Sequence, residues 1–374
     1  MLKTSNTRKN NSDLLIIRQE QLNLYIIRKI AKRIKEVGEL LPSDVYVLAQ
    51  LLKSGADVRE INKEIARVVQ AEERAIKKAI KDVAEGIYND AKPFYDYQEI
   101  PFVPFEENEN LKRIVKAIGD NTSNTYVNIA KTQAFMLRDP NNMKNLIPTP
   151  AAEAYYNVID KAVQSVQMGG QDYNTAMKQA LNELTDSGLR RVEYEAESGR
   201  EHTQRLDTAV RRNVLDGIRE VNQAVQEETG KVFGADGVSV SAHAFPAPDH
   251  QYVQGRIFTN ENWEKMQSEQ PFEDVNGRKF PAMRRKIGVW NCRHFAWSLV
   301  VQSAVSVYSE KDLQDMLDKN KKGYTDSNGK HYTMYECTQV QRKYETEIRR
   351  QKEKYIAFKD AGNEEEAQKI EAKI

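Results

Sequence analysis

The chain has 374 residues, of which 40% are hydrophobic and 30% charged, against a typical ~45–50% and ~25%, so it is long enough for a sizeable core yet rich in solvated surface. Lys+Arg 56 against Asp+Glu 55, a formal net charge of +1, excludes a general field for nucleic acid, and only two cysteines, Cys292 and Cys337, exclude a disulfide framework and favour a reducing compartment. The best apolar stretch, Ala296 to Val307, is broken by Ser298, Gln302 and Ser303 well short of the ~20 residues of a bilayer crossing, and Leu14 to Ile17 is too short an apolar core for an export leader.

Leu14, Ile17, Leu22, Tyr25, Ile26, Ile30, Ile34 and Val37 recur at helical spacing, with Arg18, Arg28, Lys32 and Arg33 on other faces, which predicts a long amphipathic helix. Gly38 and Pro42 stop it, Ser43 and Asp44 offer caps for a short helix through Leu52, and Gly55 ends that one. Val58, Ile61, Ile65, Val68, Ile76, Ile80 and Val83 predict a third. Pro93, Pro101 and Pro104 mark a connector, a helix follows over about Asn108 to Leu137, and Asp139-Pro140, Pro148 and Pro150 bracket a second linker. Helices are predicted over Ala151 to Met168, Asn174 to Leu184 and Arg200 to Glu228. Between Lys231 and Tyr308 the texture changes: all three tryptophans and alternating runs such as Val238-Ser239-Val240-Ser241-Ala242 suggest short strands. Helix returns from about Thr333 to Lys359, and Gly362-Asn363 precedes a last one. The expected architecture is mainly α: an elongated helical N-terminal region over 1–92, a Pro-marked connector with a helix over 93–150, a helical domain over 151–230, a small α+β module over 231–335 and C-terminal helices over 336–374.

Residues able to carry chemistry gather in the α+β module. His243, His250, Cys292 and His294 offer imidazole and thiolate ligands, enough in principle for a tetrahedral zinc site, although the spacing fits no standard zinc motif and Arg293 sets a positive charge between two of them. A thiol nucleophile at Cys292, with a histidine as base and Asp249 as orienter, is the other sharp reading. Together they define a hydrolase alternative, metal-dependent or thiol-based. The bland reading makes these groups structural, fixing loops by hydrogen bonds. Arg278, Lys279, Arg284, Arg285, Lys286 and Arg293 form a basic cluster able to meet phosphates, although most such runs are solvated faces. On the C-terminal helix Arg342, Glu345 and Arg349 stand three and four apart as a charge ladder. No glycine-rich phosphate loop occurs.

Several segments, in order, resemble one family. They are Ser187-Gly188-Leu189 with Tyr194 and Ser198-Gly199-Arg200; Leu206 to Arg211; Ser241-Ala242-His243, then Asp249-His250 and Gln254-Gly255-Arg256; Asn291-Cys292-Arg293-His294; and Gln341-Arg342 to Ile348-Arg349. The combination is similar to the phage minor capsid protein type 2 family, related to the Mu-type head morphogenesis proteins, over about Ala151 to the C-terminus. The resemblance implies a non-enzymatic virion protein at the portal vertex, assembled in the host cytoplasm and present in several copies per particle. Its implied partners are the portal protein and inner capsid, extending to packaged DNA during packaging or ejection, with no cofactor beyond the zinc alternative. The chain departs from the pattern where Phe245-Pro246-Ala247-Pro248 replaces Gly-Ala-Arg-Pro and where Val253 replaces a common tryptophan, so no anion contact is carried over there. The two halves of the motif are expected to meet in space, with His243 or His250 against the turn at Asn291 to His294 and Arg293 bonded to a carboxylate or to backbone carbonyls.

Overall fold

A computed structural model describes residues 2–38, 44–139, 141–167, 173–194, 201–289 and 292–374. Its elements run α1 (Leu2–Gly38), α2 (Asp44–Asp90), α3 (Lys92–Tyr97), α4 (Glu109–Lys131), β1 (Gln133–Asp139), β2 (Asn142–Thr149), α5 (Ala151–Gln167) and α6 (Tyr173–Ser187). Then come β3 (Arg190–Tyr194), β4 (Glu201–Arg205), α7 (Leu206–Val232), β5 (Gly237–Val240), β6 (Ile257–Thr259), α8 (Asn260–Gln267), β7 (Phe272–Glu273) and β8 (Lys279–Phe280). The chain closes with β9 (Ala296–Leu299), α9 (Glu310–Lys322), β10 (Tyr324–Thr325), β11 (His331–Tyr332), α10 (Met334–Asp360) and α11 (Glu364–Glu371). The fold is mainly α with small antiparallel sheets, as the sequence predicts. Among the described residues no helix is long and apolar enough to cross a membrane.

Several local expectations are corrected. The short helix to Leu52 and the one after it are a single helix, α2, which runs through Gly55; an interior glycine costs only about 1 kcal/mol, small against 47 residues of continuous helix. The helix predicted to Leu137 ends at Lys131, where the Thr132 hydroxyl turns back onto the carbonyls of Asn128 and Ile129. Phe135 and Leu137 then alternate inward along β1. The expected Pro-rich linker is strand β2, paired with β1 through Phe135↔Thr149, Met136↔Pro148 and Leu137↔Ile147; Pro148 is tolerated because β2 lies at the edge of the order β2-β1-β3-β4, where no further partner needs its missing N–H. The helix predicted from Arg200 begins at Leu206, after β4 has paired with β3. Arg33, expected on an outer face of α1, is 3% exposed because Asp57 and the Tyr155 hydroxyl satisfy its guanidinium. Ser198-Gly199-Arg200 and Gly169-Gly170 lie outside the described residues.

The chain divides into two compact units, each assembled from three separated segments. One comprises Met1–Ser12, Ala75–Ser123 and Arg212–Arg342; the other comprises Asp13–Arg74, Asn124–Arg211 and Lys343–Ile374. The second unit is held by the isoleucine face of α1 (Ile26, Ile27, Ile30 and Ile34, all unexposed) together with Ile61, Tyr155 and the inward side of the four-stranded sheet. The first unit carries the three-stranded sheet β6-β5-β9. Its central strand β5 is buried at every residue, so the alternating run foreseen there is covered on both faces. Beneath it Val240, Val253, Phe258, Met266, Phe272, Phe280, Met283 and Ile287 form one core, sealed by Trp263. Phe272 stacks on Phe280 at 5.1 Å and meets Phe258 edge-on at 5.7 Å, and each such buried side chain contributes roughly 1.5–3 kcal/mol. Helix α9 starts with a reciprocal cap between Ser309 and Asp312.

Candidate functional site

The motif residues converge in the first unit, at the end of the β5–β9 pair. Register Val240↔Ala296 aligns the two strands. Just beyond it Ser241 and Phe295 exchange backbone and side-chain bonds, the Ser241 N–H donating to the Phe295 carbonyl at 2.8 Å and the Phe295 N–H to Ser241 Oγ at 2.8 Å. This clamp fixes the register that brings 241–243 beside 292–294. Along the second segment the side chains alternate: Cys292 and His294 are buried at 3% and 2% exposure, while Arg293 points outward. His250 is fully buried in the turn after Pro248.

Cys292 Sγ lies 3.3 Å from His250 Nδ1 and 3.3 Å from His294 Nδ1, and it accepts the His294 backbone N–H at 3.4 Å. The far nitrogens of the two rings are also held. His250 Nε2 sits 2.9 Å from the Arg285 carbonyl oxygen and His294 Nε2 3.3 Å from Gln254 Oε1. Gln254 Oε1 in addition accepts the His243 backbone N–H at 3.1 Å, which fixes the orientation of the amide and leaves its buried Nε2 without a partner among the described residues. The His243 ring lies over His294 at 4.4 Å between centroids.

Burial sets the protonation of this cluster. It holds His294 down to about 2, helped by His243 and His250, and His243 down to about 4, helped by the charge of Arg293. His250 is also lowered by burial, against the opposing pull of its bond to the Arg285 carbonyl. All three imidazoles are therefore neutral at pH 7, each with one bare ring nitrogen.

The two motif halves thus meet as expected, through His250 and Cys292 and through His243 and His294. Arg293 departs from expectation: it is exposed, and no hydrogen bond or ion pair holds it among the described residues. The anchoring arginine is instead Arg285, which takes both carboxylate oxygens of Asp249 at 2.7 Å. Asp249 is consequently no orienter of His250, whose Nε2 lies 3.8 Å away and is bonded to a carbonyl. Asn291 lies outside the described residues. Arg342, Glu345 and Arg349 all lie on α10, and Arg349 reaches Asp207 Oδ2 at 2.5 Å and Glu20 Oε1 at 3.1 Å in the second unit.

Gly255 marks a tight approach. Its φ is +72, and a Cβ there would fall 2.4 Å from Leu313 Cδ2. Gly255→Ala is therefore expected to cost about 2 kcal/mol from left-handed strain and crowding, read as a lowered Tm; an unchanged Tm would show that α9 yields freely.

Reasoning from sequence missed Arg285 as the anchor and Arg219 of α7 as a cation near Cys292, held by Asp216 at 2.9 Å. Arg219 left no local trace, since it lies on a separate helix; Arg285 stood only as one of a basic run.

The family model described as Phage minor capsid protein 2 matches residues 6–374, essentially the whole chain. No curated protein and no solved structure matches it.

Proposed function

The chain belongs to the phage minor capsid protein 2 family, and from that premise we propose that it is a non-enzymatic head component seated at the portal vertex, working in assembly and in the packaging or ejection of DNA. A structural role in the phage head follows from the family, and the virion is where the protein resides. The observation that carries the reading is the extent of the match, which takes in the N-terminal helices as well as the motif-bearing module.

Chemistry at the motif supports it. A nucleophilic thiol must reach a substrate, but Cys292 Sγ is enclosed by His250 and His294, and the carboxylate that would orient a base is spent on Arg285. The same residues tie the ends of β5 and β9 to the loop at 249–256, which is a fixing role. Contact with packaged DNA would fall to Arg278, Lys279, Arg284, Lys286 and Arg293, which are exposed. Their affinity for duplex would fall steeply with salt, because each neutralised phosphate releases a counterion.

Purified virions are expected to contain several copies per particle, co-purifying with portal oligomers after the capsid shell is dissociated. Particles that carry the protein only on the shell, away from the portal, would overturn the vertex assignment, and particles lacking it would overturn the virion role.

A further inference from the structure

We propose that His250, Cys292 and His294 form a site for one zinc-class divalent ion, ligated by the two Nδ1 atoms and the sulfur. A backbone carbonyl only accepts, so His250 Nε2, 2.9 Å from the Arg285 oxygen, carries its ring's hydrogen and leaves Nδ1 bare. His294 follows the same logic one step removed: the His243 N–H donates into Gln254 Oε1, so the atom facing His294 Nε2 is an acceptor, and Nδ1 of that ring is bare as well.

Two bare nitrogens therefore face one sulfur, each at 3.3 Å. A thiol has one proton to give, so one buried nitrogen is always left against a sulfur lone pair. A divalent ion in place of that proton satisfies all three atoms. The residue types are those of zinc sites, and the two S···N separations fall within about 0.3 Å of the ~3.6 Å edge of a tetrahedron built on Zn–S and Zn–N bonds of ~2.3 and ~2.05 Å. The three donor atoms all lie within 4.8 Å of one another. The outer contacts are those of a metal centre too, since each ring's remote N–H is tied to an oxygen that sets its tautomer, and the His294 N–H already donates to the sulfur.

The surrounding cations do not oppose this. Arg285 is neutralised by Asp249, Arg219 by Asp216, and Arg293 is exposed to solvent. The fourth position of a tetrahedral ion would go to water or to the adjacent His243. Loading breaks one S–H bond, forms the sulfur–metal bond and sends a single proton to solvent, because neither imidazole has a proton to lose at Nδ1.

The test uses the full chain without a histidine tag, purified without chelators. About one zinc per chain is expected by elemental analysis. After stripping, cobalt is expected to give the visible bands of a tetrahedral ion with a near-ultraviolet thiolate charge-transfer band. Calorimetry in buffers of different ionisation enthalpy is expected to show about one proton released per ion bound. The charge-transfer band should persist in Cys337→Ser and vanish in Cys292→Ser. Should Cys292→Ser fail to fold, the wild-type and Cys337→Ser spectra decide. Octahedral cobalt spectra, substoichiometric zinc with no metal-dependent change in Tm, or a band lost with Cys337 would each overturn the site. None of these outcomes depends on where the protein sits in the virion.

Discussion

Arg205→Ala is expected to destabilise the protein by about 3–5 kcal/mol, the usual cost of removing one partner of a buried ion pair and leaving the other uncompensated. Arg205 closes β4 with its side chain only 10% exposed; Nη2 reaches Glu353 Oε1, Nη1 lies 3.3 Å from Glu353 Oε2 and Nε lies 3.5 Å from Asp207 Oδ1. Glu353 and Asp207 are themselves 4% exposed. Asp207 keeps a second partner in Arg349, but Glu353 loses both of its close bonds. Even with Arg205 present, burial raises the Glu353 carboxyl above its ordinary value, so without that cation it must take up a proton or stay charged in the interior. The loss therefore measures an abandoned buried charge, not the intrinsic worth of the pair. The companion variant Arg205→Met with Glu353→Leu is expected to recover most of the deficit, because apolar side chains of similar volume often replace a buried ion pair at no net cost. Chemical denaturation of the single and double variants checks this. Equal losses in both would show that the charges interact favourably beyond their burial cost.

Glu72→Gln is expected to stabilise the protein by about 3 kcal/mol at pH 8 and by little below pH 4.5. Glu72 is unexposed on α2; Oε1 meets Arg18 Nη1 at 3.0 Å, while Oε2 has no partner among the described residues. Burial pushes its carboxyl up to about 7, against the opposing attraction of Arg18. A carboxyl that holds its proton more tightly when folded favours the folded state at low pH. That advantage is intact below the ordinary value of 4.5, declines as pH rises, and is gone above about 7. The gap between 4.5 and about 7, at ~1.4 kcal/mol per pH unit, sets the size of the effect. Arg18 is half-exposed and resolvates when its partner becomes neutral. The measurement is Tm against pH for both proteins: the curves should converge at low pH and separate through pH 5–7. Parallel curves would show that Glu72 is ionised at little cost.

The sequence placed α5 and α10 nearly to their ends and α1 at its C-terminal end, whereas α1 begins at Leu2, twelve residues before the predicted Leu14, because the polar stretch ahead of Leu14 carries no apolar stripe. Strands β1, β2 and β4 escaped that reading. Their inward residues are few, and their hydrogen bonds go to segments about ten residues away, as when Val192 pairs with Thr203 or Leu137 with Ile147. The candidate site divided in the same way. His243, His250, Cys292 and His294 were legible as a cluster from residue type, and the motif order brought them together before any geometry. Their protonation was not, because it is set by a carbonyl of Arg285 and by a backbone N–H acting through Gln254. Buried ion pairs such as Arg205–Glu353 and Arg33–Asp57 join elements remote in sequence and look, residue by residue, like ordinary surface charge.

The division into two units, each stitched from three stretches of chain, governs how the protein is made. The unit that holds most of α1 is completed only by Lys343–Ile374, more than three hundred residues further along the chain. Glu20 of α1 meets its partner Arg349 of α10 across 329 positions of sequence. Folding in step with translation, one domain after another, is closed to this topology, and the high sequence separation of its closing contacts slows the final collapse. A nascent chain halted before α10 leaves Arg205 without Glu353 and Glu20 without Arg349. Truncation before α10 thus strips buried charges of their partners in place of giving a shorter folded protein.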